Sequence, residues 1–260
     1  LPLTGINSFI HWRYKFFYHN LFFMPPDNFT VIPQTWDNIS MYVMRTCIWK
    51  AVQACAPKFS GHLLDVGCGR KPYRQFLLEN KFISAYTGLD IESAIVYEDG
   101  IKPDFTWDGN VMPFKDNSFD TLMATEVLEH CPDTLQIINE MKRVLKPGGL
   151  IFFTVPFLWN LHEVPYDEYR LTPFALQRIF KECSLDEIEL FAHGGWNMSM
   201  AQMIGMWVVA TKRGAGRRRW AKLLNPVIKR LMKKDAKQHP IQFSEGMMVN
   251  GIYGIARKKV

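Results

Sequence analysis

Cysteine is sparse in this sequence and never paired by spacing. The five, Cys47, Cys55, Cys68, Cys131 and Cys183, are scattered, and none forms a C-x-x-C. That argues against a disulfide framework and against a cysteine zinc site, and it suits a reducing cytosol. Long apolar runs are also missing. The nearest, Met198 to Ala210, is interrupted by Ser199 and Gln202. It falls short of the roughly 18–20 residues a bilayer span needs. The first residues show no clean apolar core of a secretory signal, so a cytoplasmic setting is expected. No internal repeat or low-complexity tract occurs. Acid is nearly absent from one segment: between Lys212 and Lys237 stand eleven Lys/Arg and a single acid, Asp235. The net charge of +6 is therefore local, and it does not make the main domain a polyanion binder.

What is present is an alternating rhythm. The 260 residues are 48% hydrophobic, enough for one sizeable core with an appended piece. A helical pattern runs from about Asp37, a candidate N-cap, to Ala56. Strand-like runs follow at His62–Val66, Ala85–Ile91, Phe119–Thr125, "LIFFTVPF", Leu185–Ala192 and Met247–Ala256. Helical patterns lie between them at Tyr73–Asn80, Thr134–Leu145 (stopped by "KPGG") and Pro173–Cys183. Strands alternating with helices predict a parallel sheet covered on both faces, with ligands at the carboxyl ends of its strands.

The stretch "LLDVGCG" at 63–69 runs a buried strand into an acid and a Gly-x-Gly turn. Glycine permits the tight turn and lets a ligand approach the backbone. A dinucleotide phosphate would favour G-x-G-x-x-G, but Arg70, Lys71 and Pro72 follow here. Asp65 at the strand end would repel a phosphate and attract a cationic ligand. Asp90, ending "TGLD", is placed to accept from ribose hydroxyls. Asp108, in "WDGNVMPF", can accept from an exocyclic amine, and an Asp-Gly turn is its alternative reading.

Four stretches in order, "LLDVGCGRKPY", "YTGLDI", "DGNVMPFKDNSFDTLMATEVLEH" and "EMKRVLKPGGLIFFTVPF", resemble the class I S-adenosylmethionine-dependent methyltransferases, in their broad type 11 subgroup. The resemblance covers about residues 60–157. It implies a Rossmann-like α/β fold: a doubly wound, seven-stranded, mostly parallel sheet with an antiparallel last strand. It also implies S-adenosyl-L-methionine as cofactor. Asp65, Gly67 and Gly69 would surround its methionyl part, Asp90 its ribose and Asp108 its adenine, with Gly109 and Asn110 flanking the ring. Cys68, Ile91 and Glu126 lie beside these positions and are expected to line the same ligand. The departure is Lys71 where a third glycine would stand. Residues 1–58 would be an aromatic and helical extension, and 59–260 the methyltransferase domain. Residues 196–240 would be an insertion before the last strand.

The implied reaction displaces the methyl in line, and an oxygen nucleophile usually needs a base. His162 and His130, after the fifth and fourth strands, are the candidate catalytic residues. Tyr166, Tyr169 and Arg170 share the loop of His162 and are candidate substrate contacts. The His162-Glu163 pair is no zinc motif, because no second histidine follows at helical spacing, and no metal site is expected. The acceptor would be a small molecule, a glycan or a lipid-linked group. Residues 220–232 read as a basic amphipathic helix, which would lie on an anionic membrane or pack on its own domain. Two other classes remain: an RNA methyltransferase using the basic stretch, and a non-catalytic protein of the same fold.

Overall fold

The computed structural model of the chain describes residues 29–92, 100–235 and 243–260. The aromatic stretch at 8–24 and Lys237 lie outside the described residues. Seven strands form one sheet: β1 (His62–Val66), β2 (Ala85–Ile91), β3 (Phe105–Trp107), β4 (Phe119–Thr125), β5 (Leu145–Pro156), β6 (Leu185–Ala192) and β7 (Gly251–Lys258). Their order is β3-β2-β1-β4-β5-β7-β6. Strands β1 to β5 pair in parallel, while β7 runs antiparallel between β5 and β6. This is the doubly wound sheet with an antiparallel last strand that the sequence led us to expect. The strand order reverses between the parallel neighbours β1 and β4, so the carboxyl ends of β1, β2 and β4 open onto one crevice.

Side chains alternate across the sheet because a strand has a period of two. Leu63, Met123, Leu150 and Phe152 face one side. There they meet helix α1 (Tyr42–Cys55) and the short α2 (Arg74–Glu79). Leu64, Val66, Leu122, Ala124, Ile151 and Phe153 face the other, against α3 (Thr134–Val144) and α4 (Pro173–Glu182). Asp133 caps α3 by accepting from Gln136 N, and Thr172 caps α4 by accepting from Ala175 N.

Between β6 and β7 the chain forms an antiparallel helix pair, α5 (Trp196–Thr211) and α6 (Gly214–Asp235). The pair packs on the outer face of α1, where Val43 and Cys47 meet Met198, Ala201, Val208, Ala221 and Ile228. Backbones come close here: a Cβ on Gly205 would stand 2.3 Å from the Ile39 carbonyl oxygen. Asp235, the last residue of α6, reaches back to the start of α5. It accepts from Gly195 N at 2.9 Å, Met198 N at 2.7 Å and Asn197 Nδ2 at 2.8 Å. A buried carboxylate thus takes the free N–H groups that begin α5.

Several boundaries differ from the sequence-based expectation. The first helix starts at Tyr42, because Asp37 takes the Thr35 hydroxyl and residues 38–41 form turns. "KPGG" lies inside β5, where the register with β4 shifts between Phe119 and Thr121. The last strand begins at Gly251, not Met247. Edge strand β3 had no pattern long enough to predict. Helix α6 runs through Pro226, and its buried face is Ala221, Ile228 and Met232. Trp220, Leu223 and Val227, which helical spacing groups with them, are exposed.

Candidate active site

The glycine turn closes directly onto β2. Gly67 N and Cys68 N both donate to the Leu89 carbonyl, at 2.9 and 3.1 Å. Gly67 has φ +67°, and a Cβ there would stand 2.5 Å from Val127 Cγ2. The turn therefore needs glycine twice over, for its backbone and for its contact with the segment after β4. Gly69 N donates to Asp90 Oδ2 at 3.0 Å, and Ile91 N donates to Asp90 Oδ1 at 2.9 Å. Asp90 is thereby fixed at the mouth of the turn with lone pairs to spare. Burial raises its carboxyl above the usual range, and the two N–H donors oppose that.

Lys71 occupies the place of the missing glycine and adopts the backbone a glycine would, with φ 55°. Its Nζ lies 2.6 Å from Asp104 Oδ1. Asp104 Oδ2 accepts from Gly88 N at 2.6 Å. Gly88 is required beside it, since a Cβ would come within 2.8 Å of both Cys68 Sγ and Lys71 Cε. The departure in the glycine motif is thus absorbed by an ion pair, and the turn is kept.

Asp65 is 1% exposed, and Tyr86 donates its hydroxyl to Oδ2. Among the described residues Oδ1 has no hydrogen-bond partner. Burial pushes this carboxyl up to about 7, with the Tyr86 bond lowering it and the Asp90 charge raising it. The folded chain then holds a proton that the unfolded chain releases at about pH 4. Its contribution to stability is present below that pH and is lost as pH rises through about 7. We expect thermal melts of the ligand-free protein between about pH 5 and about pH 8 to show the upper part of this loss, up to about 3 kcal/mol. Asp65→Asn should shrink it, leaving the share of Glu126, whose buried carboxyl is also raised to about 7; an unchanged pH profile in the variant would refute the assignment.

Asp108 is exposed, and its Oδ1 accepts from Asn110 N at 2.8 Å and Val111 N at 3.3 Å. These donors hold its carboxyl below the usual range. Gly109 and Asn110 are exposed beside it. Asp65 and Asp90 feel each other's charge, whereas Asp108 stands apart at the rim.

The second half of the site is built after β4 and β5. Glu126 follows β4 with φ 56°, and Thr154 Oγ1 donates to its Oε1 at 2.7 Å. Burial raises Glu126 to about 7. A turn of 3-10 helix, Leu128–His130, then sets Glu129 inward, 1% exposed, with neither carboxylate oxygen hydrogen-bonded. Burial, reinforced by the Glu126 charge, drives Glu129 well above the usual carboxylate range. His130 Nδ1 sits 2.9 Å from the Tyr166 carbonyl, and its Nε2 is 3.7 Å from Glu129 Oε1 and 3.8 Å from Glu163 Oε2.

The loop after β5 brings His162 to the same place, its ring centroid 4.8 Å from that of His130. His162 Nδ1 lies 3.3 Å from Asp167 Oδ2, although the angle falls short of a hydrogen bond. Burial lowers the imidazole's pKa, opposed by the Asp167 charge. Asp167 is gripped by Arg170 through both oxygens, at 2.6 and 2.9 Å, and accepts from His162 N. Its carboxyl is lowered to about 2. Glu168 N and Tyr169 N donate to the Glu129 carbonyl, so the loop is sewn to the end of β4.

Of the expected substrate contacts, Arg170 holds Asp167, and Tyr169 gives its hydroxyl to the Pro132 carbonyl. Only the Tyr166 ring projects outward, 65% exposed. Sequence reading passed over Glu129, Tyr86 and Asp104. Glu129 was visible inside "EVLEH"; the other two carry no local signal, because their partners lie in other strands and loops.

The sheet order and the glycine turn are those of the class I S-adenosylmethionine-dependent methyltransferase fold. Residues 64–153 match the family described as "Methyltransferase domain". The chain is 39% identical over 100 residues to a sterol 24-C-methyltransferase of Gibberella zeae, covering 34% of this chain and 26% of that one. It is 34% identical over 104 residues to a phthiotriol/phenolphthiotriol dimycocerosates methyltransferase of Mycobacterium ulcerans, covering 35% and 36%. These matches span well under half the length of either relative. A SAM-dependent methyltransferase of Archaeoglobus fulgidus superposes with a TM-score of 0.52 at 15% identity, covering 82% of this chain and 94% of that one. At that identity the likeness is one of fold.

The residues present fit the cofactor. Asp65 leaves a buried oxygen without a donor, Asp90 offers free lone pairs, and Gly67 and Gly69 carry no side chain to bar a ligand.

Proposed function

We propose that the protein transfers a methyl group to a hydroxyl oxygen of an apolar or lipid-linked acceptor at an anionic membrane surface. S-adenosylmethionine, when bound, supplies an electrophilic methyl on sulfur. Asp65, Gly67, Cys68 and Gly69 would hold its amino-acid end, and Asp90 with Ile91 the ribose. Asp108, Gly109 and Asn110 would meet the base. Glu126 would line the same ligand.

The observation that carries the reading is the pairing of His162 with Asp167 beside this turn. A neutral imidazole whose Nδ1 proton is drawn toward a carboxylate offers Nε2 as the acceptor for a hydroxyl proton. As the C–O bond forms and the S–C bond breaks, the electron pair returns to sulfur. The loop connects to the turn electrostatically: the Glu163 charge raises Asp90. Tyr166 is the exposed ring best placed to meet the acceptor.

Support for a membrane-side acceptor comes from helices α5 and α6. Trp196, Met200, Met203 and Trp207 recur at i, i+4, i+7 and i+11 and are 60%, 48%, 47% and 44% exposed. On α6, Leu223 and Val227 continue in register with Arg219, Arg230 and Lys234. Lys212 Nζ lies 4.7 and 5.3 Å from the Trp207 and Trp220 ring centroids. An exposed aromatic stripe interleaved with cations suits the interface of an anionic bilayer. No helix among the described residues is long and apolar enough to cross a membrane. The two relatives, named for methylation of a sterol and of dimycocerosates, support an acceptor of the same apolar kind.

The test is transfer of labelled methyl from S-adenosylmethionine to lipid extract, glycan, small-molecule and RNA fractions. Label in the lipid fraction supports the proposal; label confined to RNA overturns it. In flotation with vesicles containing phosphatidylserine, the protein should rise with the vesicles. Trp207→Ala combined with Leu223→Ser should leave it behind. Equal flotation of both proteins would remove the membrane part.

A further inference from the structure

The region after β4 buries a carboxyl group, Glu129, that must hold a proton or be met by a cation. Glu129 is 1% exposed and neither of its carboxylate oxygens has a hydrogen-bond partner. An unpaired buried carboxylate costs several kcal/mol unless a cation accompanies it. The described arginines nearest in sequence and space are already engaged: Arg170 holds Asp167. Two imidazoles stand at the same point instead. One donor atom from each of Glu129, His130 and His162 lies within 4.8 Å of the others, the spread of ligands around one ion.

The histidines are also presented in the way that metal ligands are. A ligating imidazole commonly gives its second ring nitrogen to a carbonyl or carboxylate, which fixes its tautomer and orientation. His130 Nδ1 lies against the Tyr166 carbonyl at 2.9 Å, which leaves Nε2 as the lone pair, 3.7 Å from Glu129 Oε1. His162 Nδ1 lies against the Asp167 carboxylate at 3.3 Å, and that carboxylate is itself anchored by Arg170. Glu163 Oε2, 3.8 Å from His130 Nε2 and largely solvated, is a fourth oxygen within reach.

We propose that Glu129, His130 and His162 form a binding site for one divalent first-row transition cation, with Asp167 and the Tyr166 carbonyl as positioning groups. Two imidazoles and a carboxylate favour Mn2+, Fe2+, Co2+ or Zn2+ over Mg2+, which prefers oxygen and water. A position left open toward the glycine turn would take the acceptor's hydroxyl oxygen and ease loss of its proton to water. This consequence rests on the methyl-transfer reading; the site itself does not. It also changes the role of His162 in the loaded protein, from proton acceptor to ligand.

The test is titration of chelator-treated full-length protein with Co2+, read by visible absorption, and with Mn2+, read by its paramagnetic resonance. We expect one ion per chain, with Mg2+ unable to displace it at equal concentration. Glu129→Gln, which keeps shape and removes charge, should weaken affinity about 10- to 100-fold, as should Asp167→Asn. Binding of S-adenosylhomocysteine by Glu129→Gln checks that the domain is folded. In the absence of metal, Glu129→Gln should melt higher than the parent at neutral pH, since it deletes a buried carboxyl that takes up a proton on folding. Equal Co2+ uptake by parent and Glu129→Gln, or no stoichiometric uptake by the parent, overturns the proposal. If methyl transfer proceeds at full rate in chelator, the cation's role in transfer is overturned and the free-base reading of His162 stands, while the Co2+ titration decides the site itself. If the ion binds stoichiometrically but no fraction is methylated, the site stands and the methyl-transfer reading fails.

Discussion

His162→Ala is expected to lower methyl-transfer turnover by about 100- to 10,000-fold while leaving affinity for S-adenosylhomocysteine within about 2-fold. The asymmetry follows from where the side chain sits. His162 belongs to the loop after β5 and faces His130 and Asp167, whereas the groups fitted to the cofactor belong to β1 and β2. The expected loss is the same whether the imidazole accepts the acceptor's proton itself or holds a cation that eases its departure. Chelator distinguishes the two. Because Asp167 keeps its own pair with Arg170, alanine at 162 does not leave a second charge uncompensated, so the loop should persist. Turnover within about 2-fold of the parent, measured on the acceptor the fraction screen identifies, would remove His162 from the mechanism under either reading.

Asp90→Ala is expected to weaken S-adenosylhomocysteine by about 100-fold in calorimetry. Two effects add. The carboxylate accepts from Gly69 N and Ile91 N, so its loss frees the backbone of the glycine turn. It also removes the acceptor fitted to the ribose hydroxyls. Hydrogen bonds to a charged group are worth about 1.5–3 kcal/mol each, and about 1.4 kcal/mol is tenfold in affinity. Asp90→Asn should fall between, because the amide keeps one acceptor oxygen. An affinity for the ligand unchanged in both variants would mean that the β2 acid serves only the turn. Asp108→Ala should matter far less, since that carboxylate is exposed and serves its own loop.

How much was legible before folding depends on whether partners are local. The ends of β1, β2, β4 and β6 were read to the residue, because a buried strand declares itself by a short apolar run ending in a turn. Helix starts were harder. Asp37 resembles an N-cap, but its side chain is taken by Thr35 two residues away, so the helix begins later. Which apolar residues of α6 would be buried was not legible, by the same limit. Its apolar residues satisfy helical spacing on more than one arc, and contact with α5 and α1 selects Ala221 and Ile228 over Leu223 and Val227.

The order of strand, acid, glycine and second acid was determined by the sequence alone, and with it the fold class and the cofactor. Backbone turns and strand ends depend on neighbours in the chain, so the linear pattern carries them. The gathering of Glu129, His130 and His162 was decided only by tertiary structure, because the segments that hold them follow different strands. What local spacing excluded as a metal motif, the pairing of β4 with β5 assembles, since that pairing brings the loop after β5 down onto the end of β4 and ties it there through the Glu129 carbonyl.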